Sequence, residues 1–216
     1  GLLADEEARA LMSMFLLASA KKDLSMCSFR LFGVQKPKEE EVWSTEVTKE
    51  DLKNAVEDEF GVKYSKDWKR LLKAPGKLKG EYHIREGVKV IGDNAFYNLN
   101  SLTNINIPDS VTNIGNLAFY GCKSLTKIII PSNVTIIGDQ AFYGCHSLTN
   151  INIPNSVIHI GNEVFSWCES LTNINIPNSV TNIGSKAFMM CDSLTSINIP
   201  NSVTNIGDKA FYGCES

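Results

Sequence analysis

Cysteine and histidine are the residues of this sequence best suited to bind metal or to act as nucleophiles and bases. Five of the six cysteines are spaced 23 residues apart, namely Cys122, Cys145, Cys168, Cys191 and Cys214. This spacing allows two interpretations: disulfides or a metal site, or a ladder of buried thiols that act as small hydrophobic side chains. Leu99 stands one period before the first of them, and Leu is a core residue. We therefore expect buried thiols, with Cys27 lacking an obvious partner.

The remaining reactive residue types form no recognisable catalytic or metal-binding set. The three histidines are His83, His146 and His159, and since His146 and His159 occupy different positions of the 23-residue period they cannot share a metal. Serines and acidic residues recur at fixed positions that suit corners and turns, without the nucleophile, base and orienting group of a catalytic triad. We therefore predict no enzyme activity, no metal site and no cofactor.

The 23-residue period extends over the whole second part of the sequence. Five blocks begin with Leu and end with Ser, without insertion or deletion, at Leu102, Leu125, Leu148, Leu171 and Leu194. A degenerate unit, residues 79–101, precedes them. We number these units coils 1 to 6, and the residues within each coil positions 1 to 23. A fixed period of this length predicts a solenoid, in which neighbouring coils bury each other's apolar faces.

The pattern within a coil predicts its local structure. Ile at positions 4 and 6 alternates with polar residues, which is typical of a half-buried strand, and Pro at position 7 ends that strand. A second short extended run covers positions 10 to 13, and Gly at position 14 is expected to permit a turn with positive φ. Positions 15 to 20 suit a single helical or 3₁₀ turn whose Phe points inward.

The recurring pattern LxxIxIPxSVxxIGxxAFxxCxS resembles the BspA-like, or Treponema-type, leucine-rich repeats. This resemblance implies a right-handed, curved solenoid with a parallel β-sheet on the concave face. Many members of that family are surface or secreted proteins of host-associated bacteria and some protozoa, including adhesins. The segment 61–75 also resembles stretches that precede the repeats in Bacteroides-type members. Coil 1 departs from the pattern at Lys79, Tyr82, Arg85 and Leu99, as expected of a terminal capping unit.

Three regions are predicted from the changes in pattern along the chain. Residues 1–47 comprise a helix over about residues 8–22, too short and wrongly flanked for a membrane span or signal peptide, and a charged linker over 33–41. Residues 48–78 should form a cap, with a helix that starts at Thr48 and stops at Gly61, followed by a β-hairpin around Ser65-Lys66-Asp67. Residues 79–216 form the six repeats.

Charge is unevenly distributed along the chain. The net charge is −3, but residues 1–80 contain 15 Lys and Arg and 14 Asp and Glu, whereas residues 81–216 contain 6 and 10. A nucleic-acid-binding protein needs a row of basic residues along one face. The repeats contain no such row, so we expect no nucleic-acid partner.

Candidate binding residues are those on exposed strand positions and those that break the consensus. The polar ladder could bind a polar partner or could be a self-satisfying amide stack, and it comprises Asn104, Asn106, Asn150, Asn152, Asn173, Asn175 and Asn198. The substitutions that break the consensus are Lys127, Ile129, Ile136, His159, Trp167, Met189 and Met190, with Ile158 beside His159. Clustered aromatic and Met side chains are typical of contact surfaces, although drift in a recently duplicated array could also produce them.

The sequence therefore predicts a non-catalytic interaction module, of adhesin type, that binds a protein or glycan outside the cell. The alternative is a structural spacer or self-association fragment of a longer surface protein. We expect a secreted or cell-surface location without a transmembrane span. Coil 6 is an unaltered consensus unit, so we expect the native chain to continue past Ser216 or two molecules to associate end to end.

Overall fold

The structure, a computed structural model, describes residues 43–214. The helix predicted over residues 8–22 and the linker predicted over 33–41 lie outside this range. Within it, the only α-helix is α1 (Lys49–Lys53), and no helix is long and apolar enough to cross a membrane.

Helix α1 begins where the sequence predicts and ends much earlier. Thr48 is its N-cap: the Thr48 hydroxyl accepts from the Asp51 N–H, and the Asp51 side chain accepts from the Thr48 N–H. This reciprocal pair is a capping box, so the predicted cap is confirmed. The predicted extent to Phe60 is wrong, because the helix stops at Lys53 and residues Val56–Glu57 form strand β1.

Asp58 organises the turn that follows β1. Its carboxylate accepts hydrogen bonds from the backbone N–H groups of Phe60 and Val62, at 3.0 and 2.9 Å. Side chains of this type offer the backbone an alternative to helical bonding. Gly61 does have a left-handed φ of 78°, as predicted, but it lies in the loop that follows β1 and does not end a helix.

The predicted hairpin is present and extends the sheet of the coils. β2 (Lys63–Tyr64) pairs antiparallel with β1 and with β3 (Arg70–Lys73), and Ser65 to Asp67 lie in the connection. The fourth strand, β4 (Gly80–His83), belongs to the first coil. It is followed by β5 (Val90–Ile91), which pairs in parallel with β3. The hairpin thus covers the first coil along one side of the solenoid.

The first side of the coils forms a parallel sheet of five strands. Its order is β12-β10-β8-β6-β4, and neighbouring residues in it are mostly 23 positions apart. The strands that follow β4 in this sheet are β6 (Leu102–Asn106), β8 (Lys127–Ile128), β10 (Asn150–Asn152) and β12 (Asn173–Asn175). The corresponding residues of coil 6 are not in a strand. The predicted solenoid of stacked parallel strands is confirmed.

The second side of the coils is divided into two sheets. β7 (Asn113–Ile114) and β9 (Ile136–Ile137) continue the sheet of β1, β2, β3 and β5. The other sheet contains β11 (His159–Ile160), β13 (Asn182–Ile183) and β14 (Asn205–Ile206). The interruption lies between coils 3 and 4, where Ile136 and His159 depart from the consensus.

The third side of each coil is a series of turns. Bonds from residue i to residue i−3, as from Tyr143 N to Gln140 O, alternate with bonds to the next coil, as from Phe142 N to Val164 O. Positions 16 and 20 are left-handed in this arrangement, as at Gln140 with φ 57°. The 3₁₀-type hydrogen bonds expected here are therefore interleaved with a ladder that joins adjacent coils.

The Gly at position 14 has a role that the sequence analysis misjudged. None of these glycines has a positive φ. A Cβ added to Gly184 would lie 2.5 Å from the backbone carbon of Gly161 in the preceding coil. Gly is required there because the backbones of adjacent coils approach closely, whereas the left-handed residues are those at positions 16 and 20.

The core is a set of columns that run along the solenoid. The Phe at position 18 stack from coil to coil with ring centroids 5.1 to 5.6 Å apart. Ile at position 4 and Leu at position 1 are buried in coils 2 to 5. Each unit therefore buries its apolar face against its neighbours, as the period predicts.

Candidate binding surfaces

The first sheet presents positions 3 and 5 to solvent. We call this surface the Asn face, and its Asn and Lys members in coils 2 to 6 are Asn104, Asn106, Lys127, Asn150, Asn152, Asn173, Asn175 and Asn198. All of these side chains are exposed, while the Ile residues between them are buried. The strand register places Asn150 beside Asn173 and Asn152 beside Asn175.

The amides of the Asn face do not bond to one another. Within residues 43–214, one amide of this face has a side-chain partner. It is the amide of Asn104, which donates to Glu81 at 3.1 Å. The Thr column at position 2 behaves differently in coils 3 to 5, because each hydroxyl there donates to the carbonyl of the preceding Thr, as from Thr149 to Thr126 at 3.4 Å. The expected alternative of a self-satisfying amide stack is therefore not formed.

Two consensus-breaking residues lie in the middle of the Asn face. Lys127 is paired in register with Asn104 and Asn150 on the neighbouring strands. Ile129 follows it two residues later, and 68% of its surface is exposed. The face therefore combines the cation of Lys127 and the apolar side chain of Ile129 with Asn side chains on the neighbouring strands.

The other consensus-breaking residues lie on different sides of the solenoid. Ile136 and Ile158 are half exposed, and His159 is exposed, at the interruption of the second side. Trp167, Met189 and Met190 lie on the turn side and are only partly exposed. The structure thus separates the predicted residues into three surfaces and does not join them into one site.

A groove on the turn side contains Trp167. Its volume is about 410 Å³, and it is lined by Tyr97, Asn98, Tyr120, Gly121, Lys123, Tyr143, Gly144, His146 and Trp167. We call it the tyrosine groove. Its three tyrosines occupy position 19 of coils 1 to 3 and stack with centroids 4.9 and 4.7 Å apart. This column was not predicted, although Tyr at position 19 in four of the six coils indicates it.

The cysteine ladder is structural. Each thiol donates to the carbonyl of the Phe in the preceding coil, as from Cys145 to Phe119 at 3.3 Å, and the five cysteines described are free. Burial raises the pKa of Cys122 and of Cys168 to about 12. The prediction of buried thiols is confirmed. No group of three or more metal-ligating side chains is present in the described part of the chain.

Known proteins match this chain in sequence and in structure. The sequence model of the BspA type leucine-rich repeat region matches residues 89–216 in six copies. A leucine-rich repeat protein from Eubacterium ventriosum is 30% identical, over 78% of this chain and 51% of that one, with a TM-score of 0.59. One from Bacteroides ovatus is 32% identical, over 74% of this chain and 48% of that one, with a TM-score of 0.55.

This chain therefore spans about half the length of each of these two proteins. No curated protein matches its sequence. The repeat model accounts for more than half of the chain, and the structure has the stacked coils that the repeat requires. The chain belongs to the BspA-type leucine-rich repeat family.

Proposed function

We propose that this chain is a non-catalytic interaction module that binds a protein partner through the Asn face. The observation that carries the proposal is the absence of intramolecular side-chain partners for the amides of Asn150, Asn152, Asn173 and Asn175 within residues 43–214. Each amide offers two donors and an acceptor oxygen. A partner that presents backbone N–H and C=O groups would satisfy them in regular rows.

Ile129 is the apolar anchor in this proposal. It is the most exposed large hydrophobic residue described, and the same column contains Asn106 and Asn152 in the flanking coils. Interfaces typically concentrate their binding energy in a few central side chains surrounded by polar contacts that exclude water. Lys127 next to it would favour a partner surface that carries a carboxylate.

The extracellular adhesin role is part of the same proposal. It rests on the resemblance of the repeats to surface and secreted members of the family, and on a solenoid whose exposed strands are polar and weakly charged. A protein of the host extracellular matrix or serum is the partner class we propose.

A structural role is the second candidate, and one observation favours it. In coil 6, Ile199 and Ile206 are 36% and 50% exposed, although Ile at these positions is buried in coils 2 to 5. Apolar surface of this kind can mediate end-to-end association of two molecules. Light scattering at rising protein concentration tests it, and an Ile206→Thr variant should reduce any association observed.

The binding proposal is tested with purified extracellular-matrix and serum proteins in a direct binding assay. The double variant Asn152→Ala/Asn175→Ala should weaken binding about tenfold or more, because each lost amide bond contributes roughly 1 kcal/mol. Asn155→Ala/Asn178→Ala is the matched control, since it removes two exposed Asn from the corners of the same coils. Equal binding by both double variants would contradict the proposal.

A further inference from the structure

The tyrosine groove has the features of a ligand site separate from the Asn face. It lies on the turn side of coils 1 to 4, whereas the Asn face lies on the first sheet. Its volume of about 410 Å³ falls within the range of small-molecule sites, about 300–1,000 Å³. The protein-binding function proposed above makes no use of it.

The stack of tyrosines ends inside the groove. Position 19 of coil 4 is Ser166 in place of Tyr, and its buried hydroxyl donates to the Met189 carbonyl at 3.3 Å. Among the described residues, Tyr143 stacks on Tyr120 and has no aromatic partner towards coil 4. One side of the Tyr143 ring is therefore not covered by a further ring, and Trp167 of coil 4 lines the same groove.

The floor of the groove allows close approach to the backbone. A Cβ added to Gly144 would make only ordinary van der Waals contacts, the nearest with the Gly121 Cα at 3.8 Å, so no side chain of coil 2 covers this residue. The corresponding residue of coil 1 is Asn98, whose side chain covers Gly121. The side chain of Asn98 thus occupies the space next to Gly121, whereas the residue next to Gly144 is Gly121, which has no side chain.

The polar groups of the groove include both donors and acceptors. His146 Nδ1 lies 2.9 Å from Glu169 Oε1, and this contact orients the ring and directs Nε2 away from the carboxylate. That Nε2 lies 3.9 Å from the Cβ position of Gly144. Lys123 is exposed at the rim. Burial raises the pKa of Tyr143, so its hydroxyl remains protonated at neutral pH.

We propose that the tyrosine groove binds a glycan. A sugar ring has an apolar C–H face, which packs on aromatic rings such as Trp167 and Tyr143, and hydroxyl groups that both donate and accept hydrogen bonds. The groove offers this combination: aromatic walls, a Gly in the floor, Tyr hydroxyls that both donate and accept, an imidazole nitrogen of His146 and a donor on Lys123. Because Lys123 is its only Lys or Arg, the groove is poorly suited to polyphosphates.

Trp167→Gly is the variant that tests the proposal. Gly is the consensus residue at position 20, and Trp167 already has the left-handed φ, 61°, that Gly adopts readily. Met190→Gly is the matched control, because Met190 occupies the same position of the next coil with φ 57° and does not line the groove.

The probe is an array of immobilised neutral and acidic oligosaccharides, followed by calorimetric titration of the free sugar that binds best. We expect binding by the unmodified protein, about tenfold weaker binding by Trp167→Gly and unchanged binding by Met190→Gly. His146→Ala should also weaken binding. Because it leaves the backbone unchanged, it is the second test variant if circular dichroism shows that Trp167→Gly is unstable.

Two results would overturn the proposal: no retained oligosaccharide, or equal retention by Trp167→Gly and the unmodified protein. Retention of peptides from a parallel peptide array, with loss in Trp167→Gly and no glycan binding, would also overturn it and assign the groove to a peptide. Asn152→Ala/Asn175→Ala should retain full glycan binding. The outcome for the groove is therefore independent of the outcome for the Asn face.

Discussion

The thiol of Cys168 donates to the carbonyl oxygen of Phe142, 26 residues earlier, at 3.3 Å. The same bond recurs in each coil from Cys122 to Cys214 and ties the end of one coil to the Phe stack of the preceding one. Burial raises the pKa of Cys122, Cys145 and Cys168 and so has consequences for their reactivity and for stability at alkaline pH.

The first prediction concerns alkylation of the native protein. Burial raises the pKa of Cys122 and Cys168 to about 12. At about pH 8 the thiolate fraction should be roughly 10³-fold below that of an ordinary thiol. Iodoacetamide should therefore label these two residues only after unfolding in urea, as measured by mass spectrometry of the peptides. Labelling of both at the rate of the urea-treated protein would contradict the prediction.

The second prediction concerns alkaline pH. The folded-state pKa of Cys122 and Cys168, about 12, exceeds the ordinary value of 9.0. Their contribution to stability is complete below about pH 9 and is lost as the pH rises towards about 12, because only the unfolded thiols ionise in that window.

Urea midpoints measured from about pH 8 to about pH 10.5 should therefore fall. Burial also raises the pKa of Tyr64 and Tyr82, so these residues contribute in the same direction. A Cys122→Ala/Cys168→Ala variant isolates the thiol contribution, because its midpoint should depend less steeply on pH. An identical slope in both proteins would count against the thiols.

The third prediction concerns the close approach of coils at position 14. In Gly184→Ala the new Cβ would lie 2.5 Å from the backbone of Gly161, and backbone cannot move aside as a side chain can. We expect a loss of about 3 kcal/mol or more, comparable to severe overpacking. Gly76→Ala is the control, since a Cβ there meets nothing within 4 Å. Urea denaturation should show a large shift for the first variant alone.

The fourth prediction concerns the cap of α1. Thr48→Ala removes the hydroxyl that accepts from the Asp51 N–H and should destabilise the helix by about 1 kcal/mol. Thr48→Ser keeps the hydroxyl and should have little effect. Hydrogen exchange of the α1 amides is the measurement, and equal protection in the two variants would show that the capping box does not stabilise this helix.

Much of the fold could be predicted from the sequence because the coils share the same residue types at the same positions. In coils 2 to 5, Ile at positions 4 and 6 and Cys at 21 are buried as their types indicate, and Ile at position 4 lies in a strand that ends before the Pro at position 7. The start of α1 and the hairpin after Tyr64 were also predictable, since they depend on local signals such as the Thr48 cap.

The errors arose where the decisive interaction depends on the folded backbone. The residues predicted to continue α1 instead form β1 and a turn in which the Asp58 carboxylate accepts from Phe60 and Val62, an arrangement that residue types alone do not specify. Gly is required at residue 184 because the backbone of Gly161, 23 residues earlier in the chain, lies close to it. Residue propensities do not describe such a contact.

The candidate surfaces were only partly predictable for a similar reason. The exposure of Asn152 follows from strand alternation, but whether its amide finds a partner depends on side-chain geometry. The tyrosine groove depends on the replacement of one stacked ring by Ser166, and its position relative to Trp167 is a property of the coil backbone.

The backbone hydrogen bonds that join one coil to the next run along the axis of the solenoid, across the strands. A force applied along that axis would therefore separate coils one at a time, because each coil is held by its own row of bonds. Every separation would release 23 residues and lengthen the chain by about 75 Å. Stretched between two attachment points, the protein would act as an extensible tether with equal steps.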